Sequence, residues 1–400
     1  MKNNTLVIDG NHMLFKCLYV LPKTGKILLD NVNDKSLLVQ KMAMDFAAET
    51  RKFSDVLNRI VFVIDSSSWR KALYPQSDYK GNRETDESIN WNNVWGAFKD
   101  FYTVLKDHGV IIQRIDGAEG DDLIFAWSSF LNSKGENVIV NSGDRDLTQL
   151  VQFNKFTNAY TIFYTNTQKL LIGYPGFFNW MNEEIEVDEV DIFNLGSNDF
   201  NPREVFKRLI DANELTSEET FPEEVILGKI LGGDKGDNIL PVYSYQKKNK
   251  NGKIMTFGVS DKKIEEIKTL FEQDHGKLDI MYFFESSYKK VLVDLTCQVM
   301  KITSAYRDSV EKNLDRNINL VILHQKCIPE EILNQIYEEI ETVYNNKIGN
   351  FSTLSNRFKI LENTSYSNQW KPKENNALSK VKDDSMDFII KDTNNKKGLF

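Results

Sequence analysis

Five carboxylates crowd one stretch of the sequence: Glu119, Asp121 and Asp122 in Gly117-Ala-Glu-Gly-Asp-Asp-Leu-Ile-Phe-Ala-Trp127, and Asp144 and Asp146 in Val138-Ile-Val-Asn-Ser-Gly-Asp-Arg-Asp146. The apolar runs beside them must be buried, so a fold that uses those runs as core holds like charges at its rim. Close carboxylates cannot all stay ionised at low cost; either some take up protons or a cation sits among them. Oxygen-only ligands favour Mg²⁺ or Mn²⁺ over zinc. Glu119 and Asp122, three residues apart, share a helix face, whereas Asp121 can address a second ion or the waters of the first. Asp144 and Asp146 straddle Arg145 and emerge on one side of an extended segment. The spacing suits two ions rather than one.

The elements that must position these acids are short strands. Leu6-Val-Ile-Asp9, Ile60-Val-Phe-Val-Ile-Asp65 and Asn137-Val-Ile-Val-Asn-Ser-Gly-Asp144 are apolar, β-branched runs, each ending near an acid. In an open parallel sheet the carboxyl ends of the strands share one edge, where ligands bind, so Asp9, Asp65 and Asp144 are expected to meet there. Asp9 alone could instead cap the next helix; three such strand ends together, with the Glu-Gly-Asp-Asp group entering a helix over 119–131, point to shared metal binding. Helical spacing over 36–58 puts Leu37, Leu38, Met42, Phe46 and Phe53 near one face as core. A second helix is expected over 92–106 and a short strand at Val110-Ile-Ile.

Cations interleave with aromatics directly after Asp65, in Trp69-Arg70-Lys71 and Tyr79-Lys80-Gly-Asn-Arg83. Such a segment can grip phosphates while stacking on a base, with Arg70, Lys71 and Tyr79 as nucleic-acid contacts. Its position makes it a candidate lid, with Lys80 and Arg83 polarising the scissile phosphate; for an isolated segment a solvated loop is the simpler reading. Further on, a helical lead from Val225 runs into Gly232-Gly-Asp234-Lys-Gly-Asp237-Asn-Ile-Leu-Pro241. No Gly-Lys-Ser/Thr follows, so this is not a P-loop. The glycines permit a tight turn whose N–H groups, around Lys235 and Gly236, can meet phosphate, and Asp234 and Asp237 can reach a second ion. A capping or calcium-like loop fits that motif as well. Lys247-Lys-Asn-Lys-Asn-Gly-Lys253, with Lys247 and Lys248 leading, is either a solvated hairpin tip or a contact to duplex phosphates.

Composition bounds the remainder. The chain has 400 residues and a net charge of −8, a length that suits about two domains. An acidic total would count against a nucleic-acid binder only if the charge were evenly spread, and here basic and acidic stretches are segregated. The 3 cysteines lie far apart, which excludes a disulfide framework and a Cys-x-x-Cys knuckle and fits a reducing cytoplasm. No signal segment and no membrane-length apolar run is read. Over 160–225 a strand at Tyr160 to Tyr164, a turn at Gly173 to Phe178 and an acidic, solvated run over 183–191 are expected, with no chemistry. Helices are expected over 260–272 and 286–306, and from Pro329 to about Tyr344. Beyond residue 345 the chain turns polar, and Ser385-Met-Asp-Phe-Ile-Ile390 within it reads as a frayed tail or a docking peptide for a replication partner such as a sliding clamp or single-strand-binding protein.

In this order, Asp9, Asp65, Tyr79-Lys80 with Arg83, Glu119-Gly-Asp121-Asp122, Ser142-Gly-Asp144-Arg-Asp146 and Gly233-Asp234-Lys-Gly-Asp237-Asn238 resemble the 5′-nuclease (flap endonuclease, PIN-like) superfamily, nearest its phage ribonuclease H branch. The resemblance covers about residues 5–345. It implies an α/β fold, a PIN-like parallel sheet flanked by helices, with a helical subdomain carrying a helix-three-turn-helix element for DNA. The domains would be 1–215, with a helical lid at 66–95 and an insertion at 165–220, then 216–345, then a flexible tail over 346–400. Asp9, Asp65, Asp121 and Asp144 would hold a first ion, supported by Glu119 and Asp122, and Asp146, Asp234 and Asp237 a second. The implied activity is metal-dependent 5′→3′ exonuclease and flap endonuclease cleavage of DNA and RNA–DNA duplexes, including RNA primers in replication, by a monomer in the (host) cytoplasm. The sequence departs from the superfamily after Asn238, where Ile-Leu-Pro-Val-Tyr replaces a Gly-x-Gly turn. Two other readings stand beside it: a PIN-like ribonuclease of single strands, which would not need the 223–242 hairpin, and a non-catalytic DNA-junction scaffold.

Overall fold

A two-residue repeat in three apolar runs sets the layers. Leu6, Ile8, Ile60, Phe62 and Ile139 pack into one buried cluster, while their neighbours Val7, Val61, Val63, Val138 and Val140 pack into another. Alternate residues of a strand face opposite sides of the sheet, so this sheet must be covered on both faces. A computed structural model describes residues 4–20, 32–53, 57–178, 215–248 and 254–346, and there the runs form β1 (Asn4–Asp9), β2 (Leu57–Val63) and β4 (Asn137–Ser142). With β3 (Ile111–Gln113), β6 (Ala159–Thr165), β7 (Leu170–Gly173) and β8 (Thr216–Glu219) they lie in the order β3-β2-β1-β4-β6-β7-β8, and β5 (Gln152–Asn154) pairs with β6. The strands from β3 to β6 are all parallel; the β6–β7 and β5–β6 pairs are antiparallel. Chain order reverses between β1 and β4, which makes that edge the switch point of the sheet.

Helices α1 (Gly10–Val20), α2 (Val32–Lys52) and α4 (Trp91–Asp107) cover one face. Met13, Leu38, Met42, Phe46, Phe98 and Phe101 are buried there. The helix expected over 36–58 ends at Lys52 because the β-branched run that follows begins a strand at Leu57. Leu37, expected in the core, is 51% exposed. The other face carries α5 (Gly120–Ser133), and its core runs without a break into the helices that follow. These are α6 (Pro222–Gly232), α7 (Asp261–His275), α8 (Ser286–Met300), α9 (Arg307–Val321) and α10 (Glu330–Asn345). The last of them returns to α5, where Phe130 packs on Tyr337 and Tyr344, and Tyr344 donates to Glu136 at 2.9 Å.

Two expectations take a different form. Asp144 and Asp146 do not lie on an extended segment: Asp144 caps a 3-10 turn over Arg145–Leu150, accepting the N–H of Asp146 at 3.0 Å. A short polar side chain next to Ser142-Gly143 competes for the backbone and bends it. The connection between α6 and α7 is also longer than three turns, because it contains an antiparallel ribbon of β9 (Tyr245–Lys248) and β10 (Ile254–Phe257). Among the described residues no helix is long and apolar enough to cross a membrane. The acidic run 183–191, the ribbon tip 249–253, most of the expected insertion and the tail after 346 lie outside the described residues.

Candidate active site

Asp9 is the last residue of β1, and Asp65 and Asp144 stand two residues beyond the ends of β2 and β4. The three therefore lie at one edge, the switch point. Their orientation is set by neighbours rather than by the strands alone. Asp9 accepts the backbone N–H of His12 at 2.9 Å and the hydroxyl of Ser142 at 2.7 Å. Asn11 accepts the backbone N–H of Asp65 at 3.0 Å, and the Asp65 carboxylate accepts the N–H of Gly120. That contact explains the glycine in Glu-Gly-Asp-Asp, since a Cβ at residue 120 would stand 2.7 Å from the Asp65 oxygen.

The first turn of α5 splits the Glu-Gly-Asp-Asp acids into two kinds. Asp121 faces the cleft. Burial, then the Asp144 charge, push its carboxyl well up, with Asp9 and Asp65 adding to the effect. Asp122 is fully buried and faces away: its oxygens accept from Arg70 at 2.9 and 3.2 Å, from the Trp69 indole at 3.0 Å and from the N–H of Glu119 at 3.0 Å. With every strong acceptor site occupied, Asp122 supports the cleft rather than lining it. Glu119 binds Arg70 at 2.8 Å, Tyr79 at 3.2 Å and Lys80. Burial would raise its carboxyl, but Lys80 and then Arg70 outweigh burial and bring it down to about 2.

This ion cluster corrects two expectations for the lid. Arg70 is 1% exposed and cannot reach nucleic acid; its guanidinium is the counter-ion of Glu119 and Asp122. Tyr79 is also buried, with its hydroxyl turned to Glu119 and Asp237, so its ring is not an open stacking platform. Sequence alone cannot tell a buried cation from a solvated one. Lys71 is exposed, on the short helix α3 (Trp69–Leu73). Apart from α3 and a 3-10 turn at Pro75–Ser77, residues 74–90 are turns and irregular chain rather than helix.

The lid returns over the acids through backbone contacts with the loop after α6. The N–H of Lys80 donates to the carbonyl of Asp237 at 2.9 Å, Asn82 donates to the carbonyl of Lys235 at 2.8 Å, and Asn238 donates to the carbonyl of Asp78 at 2.9 Å. Arg83 pairs with Asp237 at 2.6 Å, while 59% of its side chain remains exposed. The turn from α6 into this loop needs Gly233, which has φ 77° and whose Cβ would meet the carbonyl of Ile239 at 2.4 Å. Asp234 caps the loop by accepting the N–H of Gly236 at 2.7 Å. Lys235 and Gly236 are exposed there.

Lys229, within the helical lead from Val225, lies between Asp146 and Asp234 and pairs with both. The available signal was its place in the last turn of α6, five residues before Asp234. Two ammonium groups therefore serve the acids, Lys80 at one end and Lys229 at the other. They do not suffice. Burial lifts Asp9; burial and then Asp9 lift Asp65 to about 7; burial and then Asp144 lift Asp146 to about 6. Asp65 keeps surface open to water at the rim, which softens its shift.

A group of carboxylates still short of positive charge fits a hard divalent cation by its donor chemistry. Among the described residues no group of three or more His, Cys, Asp or Glu side chains is arranged to hold a metal ion. Mg²⁺ is commonly held by one or two carboxylates, waters and substrate phosphates rather than by an all-protein cage. Asp9, Asp65, Asp121, Asp144 and Asp146 are the acids best placed for it, with Asp234 and Asp237 across the cleft. Lys247 and Lys248 lie on the exposed ribbon beyond.

Residues 4–175 match the family model of the 5′-3′ exonuclease, N-terminal resolvase-like domain. A 5′-3′ exonuclease of Buchnera aphidicola subsp. Schizaphis graminum is 31% identical over 161 residues, covering 38% of this chain and 50% of that protein. The enzyme of the same name from Buchnera aphidicola subsp. Acyrthosiphon pisum is 28% identical, covering 38% and 51%, so this chain spans about half the length of these relatives. DNA polymerase I of Mycobacterium bovis is 27% identical over 154 residues, 38% of this chain and 16% of that one. Among solved structures, a bacteriophage T5 flap endonuclease in a pseudo-enzyme-product complex with DNA and metal ions superposes with a TM-score of 0.52 at 16% identity, covering 85% of this chain and 99% of that one. A T5 5′-exonuclease with bound zinc gives 0.51 at 16%, with the same coverage. The fold is thus shared with the T5 enzymes, and residues 4–175 are similar to the N-terminal resolvase-like domain of 5′-3′ exonucleases.

Proposed function

We propose that the protein is a divalent-metal-dependent 5′-nuclease that hydrolyses phosphodiesters at 5′ ends and flaps of DNA, and at RNA primers on DNA, during replication. The observation that carries this reading is the gathering of Asp9, Asp65, Asp121, Asp144 and Asp146 around the switch-point edge with only Lys80 and Lys229 as ammonium partners, where burial and mutual repulsion push the carboxyls of Asp9, Asp65, Asp121 and Asp146 up. Bound Mg²⁺ or Mn²⁺, two ions in this proposal, would activate a water and stabilise the attacking and leaving oxygens of an in-line displacement.

The chain's own residues supply the rest. Burial opposes the charge of Lys80, yet Glu119, with Tyr79 and Asp237, holds its ammonium well above the ordinary lysine value. It stays charged at every working pH, at a place where negative charge develops on the phosphate. Arg83 presents a solvent-facing guanidinium beside it, suited to a phosphate oxygen. The Arg70–Glu119–Asp122 cluster locks the base of the lid to α5, so Lys80 is positioned before substrate arrives. Lys71, Lys235, Lys247 and Lys248 provide exposed charge for the strand backbone.

The test is a timed digest of a 5′-labelled flap, a nicked duplex and an RNA–DNA hybrid, with Mg²⁺ and with EDTA. Wild-type protein should release short 5′ products only with Mg²⁺, and Asp144→Asn should cut at least a hundredfold more slowly. Full cleavage by Asp144→Asn would remove Asp144 from the metal set. Tight binding without cleavage in either metal would favour the scaffold reading.

A further inference from the structure

The ribbon of β9 and β10 is exposed on both faces, with Tyr245 43% and Phe257 39% exposed. Tyr245 and Phe257 are directly opposite in register and stacked, 5.6 Å between centroids at 24°, and Tyr243 extends the stack at 6.3 Å and 30°. Tyr243 is half-buried against the core and anchors the stack; a cross-strand aromatic pair helps to hold a two-stranded ribbon together, but that role does not require the Tyr245–Phe257 pair to be open to water. Lys247 lies on the same face as Tyr245, two residues along, and Lys248 on the opposite face. Neither strand contains an acid. The ribbon begins eight residues after Asp237, on the loop that carries Asp234 and Asp237 to the cleft.

We infer that this ribbon is a binding platform for an unpaired nucleic-acid strand, with bases stacking on the exposed Tyr245–Phe257 pair and phosphates meeting Lys247 on the same face. A paired duplex satisfies lysines but offers no free base face to the rings, whereas an unpaired strand uses both the charge and the aromatic surface. The inference rests on the nuclease reading for its substrate, and it deepens that reading by giving the single-stranded part of the substrate a site outside the acid cleft.

The test measures binding of the full chain in EDTA to fluorescein-labelled oligothymidylate and to a blunt duplex of equal length. Because the ribbon is exposed, the double substitution Tyr245→Ala/Phe257→Ala should leave the thermal midpoint of the body near that of wild type. It should weaken oligothymidylate binding about tenfold or more and duplex binding by less than twofold. Tyr245→Trp/Phe257→Trp should restore the strand affinity, which loss by misfolding would not allow. Equal losses on both probes would overturn the inference in favour of a duplex-backbone contact, and no loss on either would overturn it in favour of a protein partner. Metal-dependent cleavage is scored separately: a chain that binds oligothymidylate through the ribbon but cuts nothing would sink the nuclease reading and leave this one standing.

Discussion

Arg70 shows what one residue does here and why its role was hidden. In sequence it follows a candidate metal aspartate and a tryptophan, a setting that suits a phosphate-gripping cation equally well. In the fold it is buried, stacks on Trp69 at 4.4 Å and binds two acids. Removing one partner of a buried ion cluster leaves uncompensated charge, so Arg70→Leu is expected to cost about 3–5 kcal/mol. Arg70→Lys should recover only part of this, because an ammonium cannot make the forked contact to Asp122. Urea unfolding in EDTA reads both. A loss below about 1 kcal/mol for Arg70→Leu would show that the cluster is not the lid's anchor. The acids themselves were legible because strand ends and acids coincide in sequence. Lys229, Asn11 and Ser142 were not, since each reaches an acid across a long sequence separation.

At the scale of elements, the parallel strands, α4, α5 and α10 were readable from periodicity and capping signals to within a few residues. Joints between elements were not readable. The lid and the loop after α6 are about 150 residues apart in sequence, yet they meet through one backbone hydrogen bond and two from asparagine side-chain amides to backbone carbonyls. Asn238 holds the joint with φ 57°, a conformation asparagine tolerates better than alanine does, and it also bonds Asp78. Asn238→Ala is therefore predicted to loosen the lid by about 1–2 kcal/mol without unfolding the body. Amide exchange at Lys80, whose N–H is bonded to Asp237, would rise about tenfold while exchange in β1 and β4 stayed fixed. Unchanged exchange at Lys80 would mean that the Arg70 cluster alone holds the lid down. The 3-10 turn at Asp144 belongs to the same lesson: Ser142-Gly-Asp was legible as a strand end, but its bend comes from side chains capping their own backbone.

For the whole molecule the useful quantity is the charge balance of the cleft rather than the net −8. Carboxyls whose folded pKa is raised bind protons that the unfolded chain has already released. Their contribution to stability is fully present below the unfolded value near 4 and is lost as pH rises through the folded values, about 6 for Asp146 and about 7 for Asp65. His12 and His324, lowered by burial, act in the opposite sense as pH rises. Glu119 and Asp234 are lowered, so their stabilisation is complete above their unfolded values and falls away only in stronger acid. The difference between melting midpoints in millimolar Mg²⁺ and in EDTA removes the contributions common to both conditions. Since a metal bound by carboxylates competes with their protons, that difference should be close to zero at about pH 5 and should widen steadily to about pH 7.5, as Asp146 and then Asp65 release their protons in the metal-free cleft. Asp146→Asn should flatten the rise above about pH 6, because it removes one of the titrating acids while Lys229 keeps Asp234 as a partner. A Mg²⁺ gain that is the same at every pH would place the ion away from these aspartates, and with it the chemistry proposed for the switch-point edge.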